Sequence, residues 1–200
     1  MNTNYEEFLK ENIFPDLENG RPNWDVPHTE TVVWYLKNIL DNNPNLYLDS
    51  DVLIIAAYAH DWGYSGLFNN GKKLDFNNIY NAKSTHMEIG AIKLTELLKN
   101  SVFDFLSKER KERTIHLVLL HDNLKMLKDN DELVLMEADT LSTLDVERVK
   151  PSFDKNSNER FMEEVKNTRH PKFITEYGKR MFNELYQLRI AYYSKDSTLF

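Results

Sequence analysis

The chain contains no cysteine. Disulfides, thiolate metal sites and cysteine nucleophiles are therefore excluded. Long hydrophobic runs are also missing. The strongest, Val52 to Ala59, is far shorter than the roughly 20 residues a membrane helix needs. The first residues, Met1 to Phe8, carry no basic segment followed by an apolar one, so no signal peptide is expected, and a cytoplasmic protein is. Positive charge is in deficit, with 25 Lys and Arg against 32 Asp and Glu and a net charge of -7. That disfavours nucleic acid as the main partner, because a phosphate backbone calls for a basic surface. A small phosphorylated molecule is not excluded, since a bound divalent metal would add positive charge that the count omits. Internal repeats, low-complexity tracts and alternating strand patterns are scarce or absent. No segment signals an oligomer, and a homo-oligomer is left open.

What is present suits one packed domain. Of 200 residues, 41% are hydrophobic, including 11 Phe, 10 Tyr and 3 Trp, which is enough to bury a core. The helical period dominates, so the fold class is all-α, a single globular helical bundle. Helices are expected over about 4–14, 27–40, 51–61, 84–98, 108–121, 132–145, 159–167 and 175–193. The first should stop near Pro15, Pro27 suits a first turn, and Asp49 or Ser50 can cap the third. The third helix is apolar nearly all round, through Leu53, Ile54, Ile55, Ala56 and Ala57, which places it centrally. From Trp62 to about Asn81 the pattern is lost, with Gly63, Gly66 and Gly71, and a long functional loop is expected there.

Six ionisable residues extend apolar stripes of these helices. His28 is in line with Val32, Tyr35, Leu36 and Ile39; His60 follows Leu53, Ala56 and Ala57, with Asp61 beside it. His86 leads to Ile89 and Gly90, His121 follows Leu117 and Val118, and Asp139 follows Leu135 and Met136. Burying such groups singly is costly, and a lone histidine on an apolar face is usually a hydrogen-bonded core residue. Six with one orientation call for a common cause. A shared cation removes the burial penalty for all of them, and imidazole with carboxylate is the ligand set of Fe, Mn, Zn or similar metals.

The order of these residues resembles the HD superfamily of metal-dependent phosphohydrolases. The motif is carried by His28 in Val26-Pro27-His28-Thr29-Glu30, His60-Asp61 in Ala57-Tyr58-Ala59-His60-Asp61-Trp62-Gly63, and Asp139 in Met136-Glu137-Ala138-Asp139-Thr140-Leu141. His86 and His121 fit the two further histidines of one subgroup. The resemblance implies a single HD-type domain over 1–200, with a motif core at about 27–145 and C-terminal helices at 159–193 packing on it. It implies a metal site of one or two divalent transition-metal ions, Fe, Mn or similar. His28, His60, Asp61 and Asp139 would hold the first, and His86 and His121 would complete the second with Asp61 bridging. Asp61, His86 and His121 receive a catalytic role in this reading. The implied reaction is cleavage of a phosphomonoester or phosphodiester of a small molecule, with a nucleotide favoured, by metal-activated water.

Alternatives keep other chemistry open. Relatives with the same ligand order hold two irons and activate dioxygen, and the fold could also serve as a non-catalytic ligand-binding module. The pattern departs from small relatives where Thr140 stands in place of a basic residue after the final Asp. For substrate binding, Lys72 and Lys73 could reach a phosphate, and Trp62 and Tyr64 could stack on a base at the site mouth. Glu30 reads as solvent-facing, His116 as structural, His170 as surface loop, and the run Lys108 to Arg113 as an exposed, salt-bridged helix start.

Overall fold

In the computed structural model, which describes residues 5–21, 23–67 and 76–195, eight α-helices and no strand occur among the described residues. They are α1 (Tyr5–Leu17), α2 (Asp25–Asn42), α3 (Ser50–Ala59), α4 (Phe76–Leu97), α5 (Lys108–Leu120), α6 (Asn130–Leu144), α7 (Lys155–Glu164) and α8 (Glu176–Lys195). The protein is all-α, as its periodicity predicts.

The apolar helix α3 lies at the centre. Residues Val52 to Ala59 are all buried, and α3 packs against α1, α2, α4, α5 and α6. Asp49 starts it by accepting a hydrogen bond from the Val52 amide, which satisfies one of the orphan donors of the first turn. Helix α2 lays its stripe of Val32, Leu36 and Ile39 on α3 and α6, each of these side chains being fully buried. Helix α6 begins with a capping box between Asp129 and Glu132, a signal the sequence carried but that periodicity alone does not use.

Helix ends differ from expectation at several places. Pro15 lies inside α1, which runs on to Leu17. The expected loop after Trp62 is shorter than its composition suggests, because α4 begins at Phe76 rather than near Ser84. Trp62–Tyr64 forms a 3-10 turn. The last expected pair of helices is instead α7, a π-helical turn at Val165–Arg169, a 3-10 turn at His170–Lys172, and α8. His170 is not an open surface loop: its ring stacks on Phe182 with centroids 4.1 Å apart.

Two glycines permit the approach of α4 to the centre. A Cβ on Gly63 would lie 1.8 Å from the His86 carbonyl oxygen, and one on Gly90 would be 3.3 Å from Val118. The turn after α3 and the middle of α4 therefore touch backbone to backbone, which carries His86 to the end of α3. No helix among the described residues is long and apolar enough to cross a membrane.

Candidate metal centre

The C-terminal end of α3 points at the middle of the bundle. His60 is its C-cap and Asp61 follows in the turn. This resolves how adjacent side chains, which diverge by about 100° on a helix, reach one place: the helix stops between them. His28 comes from the first turns of α2, His86 from α4, His121 from the end of α5 and Asp139 from α6. The structure brings all six together. His28, His60, His86 and His121 are at most 2% exposed, Asp61 5% and Asp139 9%.

The six residues form two groups that could each hold a metal ion: His28, His60 and Asp139, and Asp61, His86 and His121. In the first, Nε2 of His28 lies 3.2 Å from Nε2 of His60 and 3.2 Å from Oδ1 of Asp139. In the second, Nε2 of His86 lies 3.2 Å from Nε2 of His121. Asp61 stands between them. Its Oδ2 is 3.2 Å from His60 Nε2 and 3.4 Å from His28 Nε2, while its Oδ1 is 3.5 Å from His86 Nε2 and 3.6 Å from His121 Nε2. One carboxylate thus offers one oxygen to each group.

The outer nitrogens of the rings test whether these residues fit a cation. His60 Nδ1 is 2.7 Å from the Ala57 carbonyl, His121 Nδ1 2.9 Å from that of Val118, and His86 Nδ1 3.2 Å from that of Ala82. A carbonyl only accepts, so each Nδ1 carries the proton. His28 reaches the same result through Ser142. That hydroxyl donates to the His28 carbonyl at 3.0 Å and so accepts from Nδ1 at 2.9 Å. With Nδ1 committed in all four rings, neutral histidines turn Nε2 lone pairs inward, where they meet one another and two carboxylates. Lone pairs packed this way repel unless a cation lies among them, and the donor set fits one.

Charge around the site follows from burial and neighbours. Burial pushes the His28 imidazole down to about 4 and that of His86 down to about 3. Burial also opposes protonation of His60, but Asp61 and Asp139 override it and hold that ring up at about 9, so with no cation among the lone pairs a proton takes the His60 Nε2 place that a cation would otherwise fill. Burial works against ionisation of Asp61 and Asp139 as well. It is overcome in Asp61 by His60 and Arg21, and in Asp139 by Arg169, so both stay well below the ordinary carboxylate range. The centre therefore keeps two carboxylates charged in a buried place.

Two arginines that sequence reading passed over complete the site. Arg21, in the turn before α2, donates to Asp25 through Nε and to Asp61 Oδ2 through Nη2. Arg169, from the π-helical turn, donates to Asp139 Oδ2 at 2.8 Å and Thr140 Oγ1 at 3.0 Å through Nη1, and to Asp122 through Nη2. Lys83 pairs with Asp122 at 3.2 Å. Arg21 stands in Asn19-Gly20-Arg21-Pro22, whose composition is that of an ordinary loop. No local signal marks Arg169, which is distant in sequence from every motif.

These residues line a cavity of about 90 Å³ that opens beside the two groups. On the scale of roughly 10–15 Å³ per water, that admits several waters or an oxyanion. Arg21, Lys83 and Arg169 line it together with His28, Asp61, His121 and Asp139, and Phe153 and Phe161 add apolar wall. Tyr64 also lines it and stacks on His86 with ring centroids 4.0 Å apart. Trp62 is elsewhere: its Nε1 donates to Asp16 at 2.8 Å and Lys93 sits over its ring, so it packs against α1 and does not stand at the cavity mouth. Lys72 and Lys73 lie outside the described residues. Glu30 is exposed, and His116 pairs with Glu132 at 3.0 Å on the outer face of α5.

Ser142 lies three residues after Asp139 on α6, and its hydroxyl fixes the His28 tautomer from behind. Ser142→Ala is expected to lower affinity for the ion held by His28 by roughly 10- to 100-fold while leaving the helical spectrum unchanged. Competitive titration with a metal-binding dye reads this directly, and an unchanged affinity would show that the hydroxyl does not orient the ring.

Comparison with curated proteins and with solved structures finds no match. The HD domain family model matches residues 26–144, the span from the first turn of α2 to the end of α6 that carries all six converging side chains. The chain belongs to the HD domain family.

Proposed function

We propose that the protein is a metal-dependent phosphohydrolase cleaving a phosphomonoester or phosphodiester of a small molecule, with a nucleotide as the favoured class. The observation that carries this is the sharing of Asp61 between two histidine groups beside a cavity lined by three cationic side chains. His28, His60 and Asp139 would hold one ion and His86 and His121 the other, with Asp61 contributing to both. When bound, such ions acidify water and polarise a phosphoryl oxygen.

The chain's own residues supply the remainder. Arg21, Arg169 and Lys83 provide the positive charge that a dianionic phosphoryl group needs in a cavity otherwise rich in carboxylates. Arg169 holds Asp139 by one oxygen, leaving the other turned to His28. Trp24 and Tyr64 cover His28 and His86 with their ring faces and keep bulk water off those sides. Phe153 and Phe161 provide apolar surface for the part of the substrate beyond the phosphoryl group.

The test is a panel of phosphomonoesters and phosphodiesters with protein loaded with Mn or Fe, run beside an oxygen electrode. Metal-dependent release of inorganic phosphate supports the reading. Oxygen uptake without phosphate release would replace it with diiron oxygenase chemistry, and turnover of nothing with metal bound would leave a ligand-binding module.

A further inference from the structure

Arg21 is held in an unusual place. Its guanidinium carbon lies 4.0 Å from the centroid of the Trp24 ring and 4.1 Å from that of Tyr64. Trp24 stacks in turn on His28, with centroids 4.0 Å apart and planes 21° apart, and Tyr64 stacks on His86, at 4.0 Å and 8°. The result is a five-layer stack, His28, Trp24, Arg21, Tyr64 and His86, that ends on one histidine of each group. The residue is 6% exposed and lines the cavity.

Its donors are unequally used. The backbone amide and Nε are taken by Asp25, and Nη2 by Asp61 Oδ2. Nη1 has no acceptor among the described residues, and it is not a sealed orphan, since the one buried side-chain atom without a partner is Thr29 Oγ1. A guanidinium with an unused donor in a cavity is a site for an oxyanion. Its Nη2 meanwhile sits on the same oxygen that faces His28 and His60. A cation among those atoms and the guanidinium must share that oxygen, and two positive charges so placed repel.

We infer that Arg21 binds a tetrahedral oxyanion in the cavity, the phosphoryl group of the substrate or product, and that it opposes metal binding at Asp61 until that anion arrives. This rests on the proposed function and adds the residue that couples metal and anion. A metal held at Asp61 would compete with Nη2 for Oδ2. The stack and Asp25 hold the guanidinium at the cavity wall. An oxyanion between metal and guanidinium then relieves the repulsion, and each ligand favours the other. A residue that merely supported Asp61 would do the opposite, since its removal would weaken the metal.

The experiment is calorimetric titration of inorganic phosphate into metal-stripped and Mn-loaded protein, with Mn affinity measured separately, for wild type, Arg21→Gln and Arg21→Lys. Wild type should bind phosphate at least tenfold more tightly with Mn than without. Arg21→Gln should bind phosphate at least tenfold more weakly than wild type, yet bind Mn as tightly or several-fold more tightly. Arg21→Lys, which keeps the charge and loses the fork, should fall between and guards against a glutamine variant that does not fold. Phosphate affinity unchanged in both variants, Mn affinity lowered together with phosphate affinity in Arg21→Gln, or no phosphate binding to Mn-loaded wild type would each overturn the inference. Phosphate binding that follows Arg21 in a protein that hydrolyses no phosphoester would instead sink only the proposed hydrolase activity.

Discussion

Replacing Asp61 by asparagine is expected to lower the proposed metal-dependent phosphatase activity by roughly a thousandfold or more, and to empty both proposed metal positions together. The argument is geometric. Oδ2 serves the His28 and His60 group and Oδ1 the His86 and His121 group, so one substitution removes a charged ligand from each. Asparagine has nearly the same shape but only one acceptor atom and no charge. Arg21 would also lose its ionic partner on that side while keeping Asp25. The fold should survive, because the apolar packing of α3 ends at Ala59 and does not depend on the carboxylate. Metal analysis beside circular dichroism reads both halves. A folded Asp61→Asn protein that still binds two ions would show that the carboxylate does not join the groups.

The second large effect is on stability. Glu137 is fully buried on α6, and its carboxylate accepts hydrogen bonds from the amides of Ile174 and Thr175 and the Thr175 hydroxyl. Those amides lie just before α8, in the segment that leads into its first turn. A Cβ on Gly178 would lie 2.2 Å from Glu137 Oε2, so glycine there makes room for the carboxylate. Glu137→Ala would leave buried donors unmet and open a hole, which costs about 3–5 kcal/mol. For a chain of this size that corresponds to a fall of roughly 10 °C in thermal midpoint. Glu137→Gln keeps one acceptor oxygen and should lose about half as much. A midpoint unchanged in Glu137→Ala would show that α8 is held to α6 by its apolar face alone, through Phe182 and Leu185.

How much of this was readable before the structure depends on distance along the chain. The six converging residues sat on apolar stripes, and a stripe is a local pattern of period 3.6, so each could be placed on its helix and turned inward. Helix α3 could be placed at the centre because nearly every residue in it is apolar. The family match over 26–144 coincides with that legible part. Beyond it, legibility fell. Arg169 reaches Asp139 across 30 positions from a π-helical turn, and nothing in Arg169-His170-Pro171 announces such a turn. Its place beside Thr140 puts a cation where the residue after Asp139 lacks one. Arg21 carries no local signal because its partners, Trp24, Asp25, Tyr64 and Asp61, come together only through the fold. Asp122 follows His121 directly, and nothing in that local pattern marks it as part of the site. It proves to be the acid that joins Arg169 and Lys83. Helix α4 starts earlier than the sequence pattern predicts, because the weak helix propensity of an Asn-rich stretch is only a loose guide to where a helix begins. The ring of Trp62 alone suggests a substrate contact in the sequence, whereas in the fold its Nε1 donates to Asp16.

The most direct test of the central claim is metal content by mass spectrometry in protein prepared without added metal and then reconstituted, for wild type, His60→Ala and His86→Ala. Two equivalents of a divalent transition metal in wild type, with a loss of about one or more in each variant, is the predicted result, since each histidine belongs to a different group sharing Asp61. One equivalent in wild type, kept in His86→Ala, or none at all after reconstitution, would contradict a two-ion centre built on Asp61.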